Sequence, residues 1–250
     1  MIDLSKITRD GKAMYLAYDQ GLEHGPTDFN DVNINPEYIL DVAINGGFTA
    51  VIFQKGIAEK YYTDSKYHRK IPLILKLNGK TSLWKGEAYS PQICEVDEAI
   101  KLGASAVGYT IFAGSQFEAD MFKEFGKIVK EAHARKIPAI AWVYPRGKDI
   151  INDQTKEIVA YAARVALEIG ADIVKIKYSG NTEDFRWAVK SAGKMKVVLS
   201  GGPKVSDDEF IKIIESIMQA GAIGVAVGRN IWQNENSLAI AQKIRNIIFK

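Results

Sequence analysis

Eight short apolar runs recur along this chain, and most are followed by a stretch with helical spacing. The runs fall at 14–19, 50–54, 73–77, 106–112, 139–144, 173–178, 197–200 and 224–228. Between them, segments such as 118–135, 154–169, 207–220 and 238–248 place apolar residues three and four apart. These segments carry acids early and bases late, as the helix dipole favours. The steps Gly103-Ala104, Gly170-Ala171 and Gly221-Ala222 each end a helix and turn the chain into the next run. Eight strand–helix units within 250 residues predict an α/β protein, a TIM-type (β/α)8 barrel occupying 1–250 as one domain. A doubly wound sheet fits less well. Its dinucleotide fingerprint needs a glycine-rich turn after the first strand, and Asp19-Gln20-Gly21 stands there instead.

Composition narrows the function. The formal net charge is only +3 and the lysines are dispersed among as many acids, so no nucleic-acid footprint is visible. A single cysteine, Cys94, cannot form an internal disulfide and fits a reducing compartment. No apolar signal core opens the chain, and no stretch reaches the roughly 18 apolar residues that a membrane span requires. The expectation is a cytoplasmic protein with neither nucleic-acid nor membrane partners.

In a barrel the strand C-termini gather at one mouth. Reading those ends gives Asp19, Lys76, Asn78, Trp142, Tyr144, Lys175, Lys177, Ser200 and Arg229. Within Ile173-Val174-Lys175-Ile176-Lys177-Tyr178, strand alternation puts both lysines on one face and Val174 and Ile176 on the other. Burial and a neighbouring ammonium both push a lysine toward its neutral, nucleophilic amine. Lys177 is the expected reactive amine, the competing role being a strand-end lysine that snorkels to water. Trp142 and Tyr144 share parity and should look inward. Tyr144 could exchange a proton near Lys177 or simply fill the top core layer. Asp19 could orient a substrate hydroxyl, or it could cap a turn.

Two late segments read as an anion cradle. Ser200-Gly201-Gly202-Pro203 follows the seventh run and Gly228-Arg229-Asn230 the eighth. Glycines let backbone amides approach an anion, and barrels often bind phosphate between their last two βα loops. Arg146 could hold a second anion across the mouth, and Lys76 could do likewise or form a surface ion pair. The three histidines, His24, His68 and His133, are too scattered for a metal-ligand pattern. His24 could touch substrate or shape its loop. The expected chemistry is lysine iminium chemistry without metal or cofactor.

Six ordered motifs carry a resemblance. They are Tyr18-Asp19-Gln20-Gly21-Leu22-Glu23-His24-Gly25-Pro26, Leu77-Asn78-Gly79-Lys80-Thr81, Trp142-Val143-Tyr144-Pro145-Arg146-Gly147, Val174-Lys175-Ile176-Lys177-Tyr178, Ser200-Gly201-Gly202-Pro203 and Val227-Gly228-Arg229-Asn230. Over nearly its whole length the chain resembles the archaeal-type class I fructose-1,6-bisphosphate aldolases and their bacterial relatives. The resemblance implies a Schiff-base lysine matched by Lys177, a catalytic tyrosine matched by Tyr144, an aspartate matched by Asp19, and Trp142 lining the site. It also implies late glycine-rich loops (Ser200, Gly201, Gly202, Gly228 and Arg229) that bind the phosphate of dihydroxyacetone phosphate. Arg146, His24 and Lys175 join them as expected substrate contacts. A homo-oligomer, up to a decamer of paired pentamers, is implied by relatives alone. One departure is Gln20, where family members commonly carry histidine; glutamine hydrogen-bonds but cannot relay a proton. The related 2-amino-3,7-dideoxy-D-threo-hept-6-ulosonate synthases are the alternative, with a non-catalytic sugar-phosphate sensor as a third reading.

Overall fold

A computed structural model describes residues 2–250. Eight parallel strands close into a barrel in chain order: β1 Ala13–Ala17, β2 Ala50–Gln54, β3 Leu73–Lys76, β4 Ala104–Ile111, β5 Ala139–Val143, β6 Ile173–Ile176, β7 Lys196–Ser200 and β8 Gly224–Val227. The ring closes where β1 pairs with β8, Ala13 facing Gly224 and Leu16 facing Val227. The helices are α1 Gly21–His24, α2 Pro36–Asn45, α3 Lys55–Ile57, α4 Val96–Lys101, α5 Glu118–Ala134, α6 Lys156–Glu168, α7 Thr182–Ser191, α8 Asp207–Gln219, α9 Arg229–Trp232 and α10 Ser237–Ile248. All eight expected runs are strands, with ends that shift by at most two residues. Among the described residues, no helix is long and apolar enough to cross a membrane.

Local chemistry sets the helix starts. Asn35, Thr155, Asn181, Ser206 and Asn236 each accept a hydrogen bond from a first-turn backbone N–H with the side-chain oxygen. The Gly-Ala steps end helices as expected: Gly103, Gly170 and Gly221 have φ of 90°, 90° and 97°, a left-handed conformation that favours glycine.

Strand alternation splits the core into two. Outward residues such as Leu16, Val51, Leu75, Val174, Ile176 and Leu199 pack with the apolar faces of the helices. Inward residues (Ala13, Tyr15, Ala50, Ile52, Ile74, Ala106, Ile140, Ile173, Val198 and Ala226) fill the barrel. Ile7, from the segment before β1, joins this inner cluster, and partly buried Leu4 and Ile223 pack against it. Apolar packing therefore seals the N-terminal end of the barrel and leaves its polar groups at the opposite mouth.

The Trp142 indole reaches the inner layer only because β4 carries Gly108. A Cβ built on Gly108 would lie 1.6 Å from two atoms of the six-membered ring of Trp142. We expect Gly108→Ala to destabilise the fold by about 1–3 kcal/mol, as overpacking of a core does. It should also turn the indole away from the mouth. Urea melts and cleavage assays would check this; wild-type stability together with wild-type turnover would refute it.

Candidate active site

The mouth encloses a cavity of about 210 Å³. Its floor comes from inward strand-end residues: Ala17 and Ala226 are small and leave room, while Trp142, Lys175 and Lys76 fill the sides. Above them stand Asp19, Tyr144, Lys177, Ser200, the Gly201-Gly202-Pro203 turn, Gly228 and Arg229. The segment after β1 supplies Gln20, Glu23 and His24, and Arg146 closes the remaining side. The structure thus brings together every residue expected at the site, from Asp19 through Arg229, with one exception. Asn78 is spent on structure: its Nδ2 donates to the carbonyls of Ser90 and Thr110, and its Oδ1 accepts from Thr110 N–H. It ties the β3–α4 loop to β4, and both of its amide N–H groups are used there.

The charges at this mouth are sorted into pairs. Lys76 Nζ lies 3.2 Å from Asp19 Oδ2, with both side chains buried. Arg146 Nη1 donates to Glu23 Oε1 at 3.0 Å. Arg229 Nη1 lies 3.6 Å from Asp28 Oδ2, while its Nη2 donates to the Gly202 carbonyl at 3.0 Å. Lys177 is ion-paired with Asp153 from the loop before α6. Among the described residues, Lys175 alone of the mouth's lysines and arginines has no carboxylate at ion-pair distance. It is also deeply buried, with 5% of its surface exposed, and its Nζ sits 5.2 Å from the centre of the Trp142 ring. Burial draws its pKa below the ordinary lysine value of 10.5, and the opposing attraction of Asp19 and Glu23 is weaker.

The environment expected for Lys177 therefore belongs to Lys175. Both lysines do face the mouth, as alternation requires. The β6 ladder ends at Ile176, however, paired with Leu199. Lys175 is held by its strand inside the barrel. Lys177 lies past the last ladder pair, with 27% of its side chain exposed, where its ammonium reaches Asp153.

Two further groups are shifted. Burial would raise the Asp19 carboxyl, but Lys76 and Lys175, aided by the Lys76 hydrogen bond, outweigh burial and hold it below the usual carboxylate range. The Tyr144 phenol is pushed up, chiefly by burial and also by Asp19 and Glu23, against the lowering effect of its hydrogen bond with Ser200 Oγ at 3.0 Å. Asp19 is thus held ionised and Tyr144 protonated.

The late loops are braced from below. Asn230 Nδ2 donates to the carbonyls of Gly201 and Pro203, and its Oδ1 accepts from Val205 N–H. These bonds lock the two glycine-bearing loops together, a function the Gly228-Arg229-Asn230 motif did not reveal. His24 Nδ1 contacts Asp28 Oδ2 at 2.7 Å, so it shapes the loop as well as lining the cavity. Gln20 lines the cavity too, and its Nε2 is buried without a protein acceptor. His133 contacts Asp172, and His68 packs on Tyr62, both away from the cavity. Among the described residues, no three His, Cys, Asp or Glu side chains converge so as to hold a metal ion. Sequence reading missed Glu23, Asp28 and Asp153 as charge partners. They are ordinary loop acids, and Arg146 and Glu23 stand 123 residues apart in the chain.

A family model for DeoC/LacD family aldolases matches residues 13–234, nearly the whole barrel. The class I fructose-bisphosphate aldolase of Thermoproteus tenax is 52% identical over 244 residues, covering 96% of this chain and 91% of the relative. That of Halobacterium salinarum is 45% identical over 248 residues, covering 98% and 94%. A solved archaeal fructose-1,6-bisphosphate aldolase, with its catalytic lysine covalently bound to the carbinolamine intermediate of the substrate, superposes with a TM-score of 0.95 at 50% identity over 99% of this chain and 98% of that one. The barrel and its mouth are those of a DeoC/LacD-type aldolase. More narrowly, the chain belongs to the archaeal-type class I, Schiff-base-forming fructose-1,6-bisphosphate aldolases.

Proposed function

We infer that this protein reversibly cleaves fructose 1,6-bisphosphate to dihydroxyacetone phosphate and glyceraldehyde 3-phosphate, and that Lys175 forms the Schiff base. The observation that carries the assignment is that, among the described residues at the mouth, Lys175 is the one buried amine without a carboxylate partner. A neutral amine is the nucleophilic form, and desolvation is one way a protein makes it. Lys175 Nζ attacks the ketose C2 carbonyl to give a carbinolamine, which loses water to give an iminium. The iminium withdraws the C3–C4 bonding pair as the C4 hydroxyl gives up its proton, releasing glyceraldehyde 3-phosphate and leaving an enamine. Protonation at C3 and hydrolysis then release dihydroxyacetone phosphate and restore the amine.

The directions in which the neighbouring groups are shifted sort the proton transfers. Asp19, held ionised, assists at the hydroxyl and carbinolamine stages. Tyr144, held protonated, is the principal donor to the enamine carbon, with Ser200 fixing its hydroxyl. Trp142 forms the apolar wall against which the amine rests. The phosphate of the ketone half would lie against Ser200, Gly201, Gly202, Gly228 and Arg229, where glycines admit close backbone approach. Arg146 and His24, on the remaining wall, face the other phosphate-bearing half.

Borohydride reduction in the presence of dihydroxyacetone phosphate tests this reading. A covalent adduct mapped to Lys175, with fructose 1,6-bisphosphate cleavage that persists in chelator, is the expected result. Absence of any adduct would instead favour a sugar-phosphate sensor. The implied homo-oligomer has a supporting observation in Tyr161 and Trp187, apolar side chains exposed on α6 and α7. Sedimentation of the pure protein as a monomer would refute it.

A further inference from the structure

We propose that Lys76 is a positioning residue for imine formation: by taking the Asp19 carboxylate as its own partner, it leaves the Lys175 amine without a counter-ion. The inference rests on Lys175 being the imine-forming residue. Asp19, two residues past β1, and Lys76 and Lys175, on β3 and β6, are all buried, with 6%, 5% and 5% of their surfaces exposed. One carboxylate thus serves two amines in a water-poor space. Lys76 holds it at 3.2 Å, and Lys175 has no carboxylate at that range.

A buried ammonium is tolerated when it is paired and is driven to the neutral form when it is not. With Asp19 and Lys76 summing to no net charge, Lys175 faces a neutral pair and the face of Trp142. The other charged groups at the mouth are already engaged. Glu23 holds Arg146, Asp28 meets Arg229 and His24, and Asp153 holds Lys177. Tyr144, just past β5, contributes a neutral phenol. None of these replaces Asp19 as a counter-ion for Lys175. Loss of the Lys76 charge therefore hands Asp19 to Lys175 and holds the amine protonated at neutral pH.

The test measures cyanoborohydride trapping with dihydroxyacetone phosphate as a function of pH, with the adduct mapped by peptide mass. In Lys76→Met the midpoint of the trapping profile should move up by about one pH unit or more, the size of effect an opposite charge at contact range produces. Lys76→Arg, which keeps the charge, should retain the wild-type midpoint. The double variant Asp19→Asn with Lys76→Met should return close to it. Asp19→Asn alone should move the midpoint down, because the Lys76 ammonium then faces Lys175 uncompensated. That arm decides the matter even if Lys76→Met fails to fold. An unmoved midpoint in Lys76→Met or in Asp19→Asn overturns the proposal, as does an equal upward shift in Lys76→Met and the double variant. An adduct on another lysine would instead overturn the Lys175 assignment, so the two failures are distinguishable.

Discussion

Lys175→Met should abolish imine trapping and reduce fructose 1,6-bisphosphate cleavage by roughly 10⁴-fold or more, as removal of a nucleophile from a cooperating set does. Lys177→Met should keep the adduct on Lys175. The contrast follows from what each amine touches. Lys175 is strand-held, buried and unpaired, so its lone pair is available once the proton leaves. Lys177 is partly exposed and committed to Asp153. Breaking such a pair costs about 1 kcal/mol or less, so turnover in Lys177→Met should fall modestly through small shifts of the loop before α6. Mass mapping of the reduced adduct in the two variants checks this. Trapping that survives in Lys175→Met and vanishes in Lys177→Met would reverse the assignment.

Tyr144→Phe should separate the two halves of the reaction. The amine and the neighbouring Asp19–Lys76 pair stay in place, so the adduct with dihydroxyacetone phosphate should still form. Turnover should drop by about 10²–10⁴-fold, the usual contribution of a positioned acid or base. The pH profile carries a matching signature. Lys175 is shifted down, so the neutral amine accumulates below pH 10.5 and kcat/KM should rise with pH through that lowered value. Tyr144 is shifted up, so the phenol keeps its proton beyond its ordinary value of 10.0, and no descending limb from it should appear before that pH. A descending limb near neutrality that vanishes in Tyr144→Phe would refute the role of the phenol as a proton-holding donor.

The carboxylate partners explain why a site can be legible in sequence and its chemistry only partly so. Asp19, Tyr144, Ser200 and Arg229 were placed at the mouth because strand ends of a barrel converge there. Which charges at the mouth are paired depends on Glu23, Asp28, Asp153 and Lys76, which lie on other loops and strands. Asn78 shows the reverse case. Its position at a strand end resembles a site residue, yet three hydrogen bonds commit it to holding the loop before α4.

By itself the sequence determined the barrel, because hydrophobic periodicity is a local property that eight repeats state eight times. It also determined the family, through six ordered motifs, and the presence of two lysines on one inward face. A period of two treats Lys175 and Lys177 alike, and the motif match points to Lys177. Tertiary structure sets the two apart: the β6 ladder stops at Ile176, Asp153 draws Lys177 aside, and Lys76 claims Asp19. Burial and counter-ions come from segments distant in the chain, and they leave Lys175 buried without a carboxylate partner and Lys177 partly exposed and paired.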